Sequence, residues 1–276
     1  MKTKKPHTHG PLFSDVHSCL EKEFENADIT VNDDENTATA RAEWENDKNY
    51  QTTMKLVGAL CFQLRYRESL PFCEELYHDN KEDFALNRRL GVLYFKLLEF
   101  DKSLKHLYFC LENVKNDNKV EILSLSYIIA VVHYYNQQFE RAKFYLEKCV
   151  PLCVEDGEMY VAVLYWYRCC LSMLKEPKKE FVNFAKDYDF DCGHHTGYDA
   201  FVRFAMGLIS EEDAINACES DTELNKTCLF YGLSAYYVRD KKKSSLYLDK
   251  MLSYKELFGG FSYIAGYVDF KKTSAK

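Results

Sequence analysis

The sequence predicts an all-α fold built from paired helices. The 276-residue chain contains only 11 Gly and 5 Pro, fewer than the many turns of an all-β fold require. Apolar residues recur at helical spacing, and hydrophobic residues make up 47% of the chain, enough for a sizeable core. A single helical hairpin cannot bury its own apolar faces, so we expect several hairpins to stack.

Residues 90–111 form the clearest hairpin in the sequence. Leucines follow helical spacing on both sides of a turn that we predict at Glu99–Asp101. Gly91 and Ser103, twelve residues apart, are small enough for two antiparallel helices to approach closely. Leu107 is one of the large side chains that we expect to fill the space around that contact.

The same pattern recurs along the chain. Tyr66, Phe100 and Phe139 begin the second helices of three copies, and they are spaced 34 and then 39 residues apart. The first helices of these copies are predicted over residues 51–64, 84–98 and 121–135. A late copy spans 225–252, where Gly232 and Ser244 repeat the twelve-residue spacing.

Two less regular helix pairs lie between these copies. The first pair is predicted over 158–174 and 178–188, and the second over 197–209 and 211–219. Ser210 is a suitable N-cap for the last of these helices, with Asp213 in its first turn. After Gly259–Gly260, a final helix near 261–270 is expected to cover the last repeat, whose apolar face would otherwise meet water.

The N-terminal region differs in composition from the repeats. Residues 12–25 are predicted to form a short amphipathic helix with Ser14 as its N-cap. Residues 26–49 are acidic and form either a solvated linker or the lead-in to the next helix, with Trp44 as an anchor. We therefore divide the chain into an N-terminal tail, short helix and linker (1–49), the helical repeats (50–254) and a C-terminal capping helix and tail (255–276).

Charge and cysteine content limit the classes of partner and compartment. The net charge of −7, without a dense basic stripe, argues against nucleic acid as the partner. The basic start over residues 1–6 is not followed by an apolar run, and no stretch is apolar enough to span a membrane. The 11 cysteines cannot all pair within one chain, so we expect free thiols and a reducing, cytoplasmic compartment.

The hairpin pattern resembles the tetratricopeptide repeat (TPR). In the second copy the signature positions of that family carry Leu90, Gly91, Tyr94, Ser103, Leu107 and Cys110. The resemblance covers residues 50–254 and is weakest near Tyr167 and Arg168, where bulky residues stand close to an expected small one. The later part of the chain is also similar to small bacterial TPR adaptors. The TPR resemblance implies a right-handed superhelix, an α-solenoid of about five or six TPR-like antiparallel hairpins.

The same resemblance implies a concave groove, lined by the first helices, that takes up a peptide. The positions that correspond to this groove are Met54, Cys61, Arg88, Val92, Phe95, Lys96, Tyr127, Val131, Tyr134, Tyr135, Lys226, Leu229 and Tyr236. The Lys/Asn clamp of chaperone-binding TPRs is missing, because Arg88 is followed by Val92. Such a groove suits a protein or peptide segment with apolar or aromatic anchors.

The sequence also contains one cluster of possible metal ligands, Cys192-Gly193-His194-His195. Cysteine and histidine this close together are suitable Zn²⁺ ligands, but no second motif lies at ligand spacing. Adjacent side chains also seldom converge on one metal, so we favour a polar loop and predict no metal or other cofactor. The usual phosphate-loop, nucleophile-elbow, zinc-helix and dinucleotide motifs do not occur in the sequence.

The predicted function is therefore a non-catalytic interaction scaffold or adaptor. One alternative is an autoinhibited sensor in which residues 12–25 occupy the groove until a partner displaces them. The other alternative is a metal-binding module or metal-dependent enzyme at Cys192–His195.

Overall fold

The computed structural model describes residues 32–153, 156–186, 188, 191–254, 257 and 259–274. The described residues are helical, contain no β-strand, and divide into two compact units, 32–113 and 114–274. The helix predicted over residues 12–25 lies outside the described residues. Among the described helices, none is both long and apolar enough to cross a lipid bilayer.

The described residues of the first unit form five consecutive helices, each packed against the next. They are α1 (Glu35–Asn46), α2 (Tyr50–Phe62), α3 (Tyr66–Asp79), α4 (Phe84–Lys96) and α5 (Phe100–Asn113). Asp34, Asn49 and Asp83 cap the N-termini of α1, α2 and α4, because each side chain accepts a hydrogen bond from a backbone N–H of the first turn.

Residues 35–46 form a separate helix, α1, that packs on α2, so this part of the acidic segment is not a solvated linker. Trp44 acts as the predicted anchor, since its ring packs edge-on against Phe72 at 5.1 Å between centroids. Arg41 donates hydrogen bonds to Asp33 at 2.7 Å and to Glu68 at 2.8 Å. The hydrogen bond from Arg41 lowers the pKa of Asp33 to about 2, so this network holds α1 to α3.

The hairpin of α4 and α5 confirms the close helix approach predicted at Gly91. The Ser103 hydroxyl donates a 2.7 Å hydrogen bond to the Gly91 carbonyl oxygen. A Cβ atom at Gly91 would lie 2.7 Å from the Leu107 side chain, so a larger residue there would push the helices apart. The predicted turn position is wrong by two residues, because α4 ends at Lys96 and the chain turns at residues 97–99.

The second unit contains nine α-helices in its described residues. They are α6 (Lys119–Tyr135), α7 (Phe139–Cys149), α8 (Gly157–Met173), α9 (Lys178–Phe184), α10 (Thr196–Met206), α11 (Glu211–Ala217), α12 (Glu223–Tyr236), α13 (Lys241–Leu252) and α14 (Phe261–Ser274). A short 3₁₀ helix, Val150–Leu152, follows α7. The predicted capping of α11 is confirmed, since Ser210 and Asp213 form a reciprocal capping box.

Five hairpin connections share one turn geometry. One residue just past each first helix adopts the left-handed conformation: Leu64, Leu98, Gln137, Lys175 and Gly207. At Leu98 the backbone N–H donates to the Phe95 carbonyl, and the following N–H donates to the Tyr94 carbonyl, which is the Schellman pattern. The equivalent pairs of hydrogen bonds occur at the other four positions. The chain therefore repeats a turn as well as a helix pair.

Helix α8 lies at the centre of the second unit. Every residue from 160 to 172 is buried, and the helix contacts α6, α7, α9, α10 and α12. The indole of Trp166 is fully buried and donates a 2.9 Å hydrogen bond to the Tyr127 hydroxyl. The Tyr134 and Tyr165 rings meet the Trp166 ring edge-on at 5.1 and 5.2 Å. This aromatic core accounts for much of the unusual tyrosine content.

Gly232 makes a different contact from the one that the repeat spacing predicts. A Cβ atom on Gly232 would lie 2.7 Å from the Phe201 ring of α10 and 2.9 Å from the Tyr165 ring of α8. The α12–α13 hairpin is held instead by Ser234 and Ser244, whose hydroxyls each donate to the other residue's carbonyl, at 2.9 and 3.0 Å. Gly232 therefore allows neighbouring hairpins to pack closely, because the Phe201 and Tyr165 rings occupy the space that a side chain would need.

Candidate functional site

The predicted groove residues of the first unit remain partly accessible. Met54 and Cys61 on α2, and Arg88, Val92 and Lys96 on α4, are half-buried. Phe95 is the exception, since only 1% of it is exposed. We call the five half-buried residues the α2–α4 face.

The α2–α4 face combines apolar and cationic side chains. Arg89, next to Arg88 on α4, is also half-buried. The Lys96 ammonium lies 4.8 Å from the centroid of the Phe95 ring and 5.9 Å from that of the Tyr66 ring. Burial lowers the pKa of Lys96 to about 7.

The predicted groove residues of the second unit are mostly inaccessible. Tyr127, Val131, Tyr134, Tyr135 and Leu229 are each at most 8% exposed. Lys226 and Tyr236 are half-buried. The five buried side chains are part of the core in this structure, so they are not available to a partner.

Helix α14 contributes to this burial. We predicted a cap on the terminal repeat, and α14 does pack on α12 and α13, but it also contacts α6. The Tyr135 hydroxyl donates a 2.7 Å hydrogen bond to the Phe261 carbonyl, and the Tyr127 ring stacks on the Phe261 ring at 6.2 Å. The C-terminal helix therefore covers Tyr127 and Tyr135, two of the α6 residues that the repeat pattern assigns to a groove.

Tyr167 and Arg168, the bulky residues of the least regular repeat, are also part of this core. The Tyr167 ring stacks on the Phe184 ring at 3.8 Å. Arg168 is 6% exposed, and its guanidinium lies 4.8 Å from the Tyr236 ring centroid. Burial lowers the pKa of Arg168. Cation–π contact thus takes the place of an ion pair at this position.

The loop before α10 brings three possible metal ligands together. Glu158, His194 and His195 offer ligand atoms that all lie within 4.8 Å of one another. His194 Nδ1 lies 2.9 Å from Glu158 Oε1, and the two histidine rings lie 4.2 Å apart. We call these three residues the His–Glu cluster. Cys192, which the sequence pattern grouped with the histidines, is not a member of it.

Glu158 is the member of the His–Glu cluster that the sequence did not indicate. It lies 36 residues before His194, in the first turn of α8, and no ligand spacing links the two positions. The packing of α8 against α10 brings them together.

Cysteine does not add a further site among the described residues. All ten described cysteines are free thiols, and all except Cys61 and Cys192 are buried. Burial raises the pKa of Cys61, which keeps this thiol protonated near neutral pH. The prediction of unpaired cysteines is therefore confirmed for the described part of the chain.

Comparison of the whole chain with protein-family models and with curated protein sequences finds no match to either.

Proposed function

We propose that the protein is a non-catalytic scaffold of the TPR type that binds a partner segment on the α2–α4 face. Repeated hairpins with a shared turn support the repeat architecture, and an α-solenoid with a right-handed superhelix is the arrangement that we propose for it. The observation that carries the function is the half-buried state of Met54, Cys61, Arg88, Val92 and Lys96. Helical repeats use such faces of their first helices as binding surfaces.

The chemistry of the α2–α4 face selects the kind of partner. Met54 and Val92 offer apolar contacts, Arg88 and the neighbouring Arg89 carry positive charge, and Lys96 supplies an amine whose pKa burial lowers to about 7. A carboxylate beside Lys96 would favour its charged form and offset the effect of burial on its pKa. We therefore propose a partner segment with apolar anchors and acidic side chains, held in the helix-in-groove or extended mode.

A pair of charge reversals tests this assignment. Arg88→Glu places a negative charge on the α2–α4 face, whereas Lys105→Glu makes the same change at an exposed position of α5. Both proteins should unfold at temperatures close to that of the wild type. In affinity capture with quantitative mass spectrometry, wild type and Lys105→Glu should retain the same partners, and Arg88→Glu should lose them. Equal recovery by all three proteins would refute the α2–α4 face as the binding surface.

Autoinhibition by residues 12–25 is a second candidate, favoured by charge complementarity. This segment carries Asp15, Glu21, Glu23 and Glu25 against one Lys, and it would face a cationic surface on α4. Removal of residues 1–25 retains both partners of the Asp33–Arg41 ion pair. If the segment competes with partners, this deletion should increase partner affinity. Unchanged affinity would exclude autoinhibition while leaving the scaffold proposal standing.

We also propose a cytoplasmic location and no nucleic-acid partner. The free thiols suit a reducing compartment, and the net charge of −7 repels a polyanion. Thiol titration of the denatured protein, alkylated directly in cell extracts, should report every cysteine as free. Disulfide-linked cysteines in that assay would contradict the cytoplasmic assignment.

A further inference from the structure

We propose that Glu158, His194 and His195 bind one divalent transition-metal ion, and that Zn²⁺ is the ion that they suit best. Two imidazoles and one carboxylate are a common three-ligand set for zinc, with water in the fourth position. The site goes beyond the scaffold function proposed above and lies wholly within the second unit.

The distances within the His–Glu cluster are compatible with metal binding after small side-chain rotations. Ligands about 2 Å from a tetrahedral Zn²⁺ lie about 3.4 Å from one another. The three ligand atoms already lie within 4.8 Å, and His194 and Glu158 are at 2.9 Å. His194 is exposed and the other two are half-buried, so their side chains have room to close around an ion.

Glycine at position 193 allows the Glu158 carboxylate to approach the histidine loop. Gly193 has a positive φ of 52°, a backbone conformation that side chains disfavour. A Cβ atom built at this position would collide with Glu158 Oε1. Any larger residue at position 193 would therefore displace the carboxylate from His194.

Asn225 on helix α12 holds the backbone of the histidine loop in place. The Asn225 side chain, which is 6% exposed, donates a 3.0 Å hydrogen bond to the His194 carbonyl oxygen. It also accepts a hydrogen bond from the Gly197 backbone N–H at 3.2 Å. The His195 ring stacks on the buried Tyr198 ring at 5.2 Å. These contacts keep two adjacent histidines on the same side of the loop, which sequence adjacency alone does not ensure.

A bound ion would connect the start of α8 to the start of α10. Glu158 is in the first turn of α8, and His195 is the N-cap residue of α10. Metal that binds only the folded chain raises its stability by mass action. We therefore expect metal to increase the unfolding temperature of the second unit.

Titration of the reduced full-length chain with Co²⁺ alone tests the site. We expect one equivalent to bind with the visible d–d bands of a four-coordinate ion, and Zn²⁺ to displace it. Ligation by nitrogen and oxygen gives no near-ultraviolet thiolate-to-cobalt band, so binding at cysteine is distinguished in the same spectrum. Metal should also raise the unfolding temperature.

Matched variants identify the ligands. His194→Ala and Glu158→Gln should each weaken Co²⁺ binding at least about tenfold and remove the thermal shift. Gly193→Ala should weaken binding without removing a ligand. Cys192→Ser and the tail variant His7→Ala/His9→Ala should bind as the wild type does.

Three results would overturn the proposal. The first is failure of the folded wild type to bind Co²⁺, and the second is a thiolate band that disappears in Cys192→Ser. The third is unchanged binding in both His194→Ala and Glu158→Gln. None of these results bears on the α2–α4 face, so the scaffold function is tested separately.

Discussion

Replacement of Asp269 by Asn should stabilise the second unit at neutral pH. Asp269 is on α14, and its Oδ2 lies 3.0 Å from the Tyr231 hydroxyl, which lies 2.9 Å from the Tyr134 hydroxyl. Since a hydroxyl has one proton, Tyr231 donates it to the ionised carboxylate and accepts from Tyr134. Burial raises the pKa of Asp269 to about 6, although Tyr231 and Lys272 act in the opposite direction.

The size of the effect follows from this pKa. The ordinary value is 3.8, and the folded value is about 6. Each unit of pKa shift corresponds to about 1.4 kcal/mol, so ionisation of Asp269 costs about 3 kcal/mol of folding free energy. The folded chain binds the proton more tightly than the unfolded chain, so this cost develops as pH rises from 3.8 to about 6 and is complete above that range.

The assay compares unfolding free energies across pH. Asn resembles the neutral carboxyl group, so Asp269→Asn should exceed the wild type by about 3 kcal/mol at pH 7.5, and the difference should vanish below the ordinary pKa. Urea unfolding followed by tryptophan fluorescence is suitable, because the chain has two tryptophans and a Trp44→Phe background leaves Trp166 in the second unit. Asp249→Asn, at an exposed position of α13, is the matched control.

Two results would refute this account of Asp269. The first is a difference in unfolding free energy between Asp269→Asn and the wild type that is the same at pH 4 and at pH 7.5. The second is an Asp269→Asn variant that is less stable than the wild type at pH 7.5, which would mean that the charged carboxylate stabilises α14.

Two further predictions concern backbone conformation and close packing. Gln137→Gly, at an exposed left-handed residue, should raise the unfolding free energy by about 1 kcal/mol. Gly207→Ala, at the equivalent position of another turn, should lower it by a similar amount. Urea unfolding of both variants checks this, and a change of the same sign in both unfolding free energies would contradict the shared turn geometry. Gly232→Ala should lower the unfolding free energy by about 1–3 kcal/mol, because two aromatic rings would be overpacked. Gly58→Ala, in α2 with open space beside it, should instead be neutral or stabilising by up to about 1 kcal/mol, and loss of stability in this control would refute the packing explanation.

Local features of the fold were predictable because their causes lie within a few residues. Ser210 and Asp213 form the predicted cap, since both groups belong to the same helix start. Gly91 and Ser103 meet as predicted, because a short turn connects their helices. The turn itself was misplaced, because Leu98 adopts a left-handed conformation without the glycine that usually indicates one.

The candidate sites were less predictable, because each depends on helices distant in the chain. Glu158 and His194 come from different helical pairs, and no sequence spacing relates them. The burial of Tyr127 was not predicted, because the C-terminal helix was expected to cover only the last repeat, whereas its Phe261 ring also stacks on the Tyr127 ring of α6. Gly232 kept the expected spacing but not the expected contact.

The sequence by itself determined that the chain forms helical hairpins, because apolar periodicity and capping residues act over one or two turns of helix. Only the tertiary structure decided which helix faces stay accessible. The Tyr135–Phe261 hydrogen bond joins residues 126 positions apart, and contacts of this kind bury the α6 face. Burial is a property of the packed unit, since a side chain is removed from water only by the element that covers it. The side chains of the α2–α4 face are only partly covered by the packed unit, so they keep partial exposure to water.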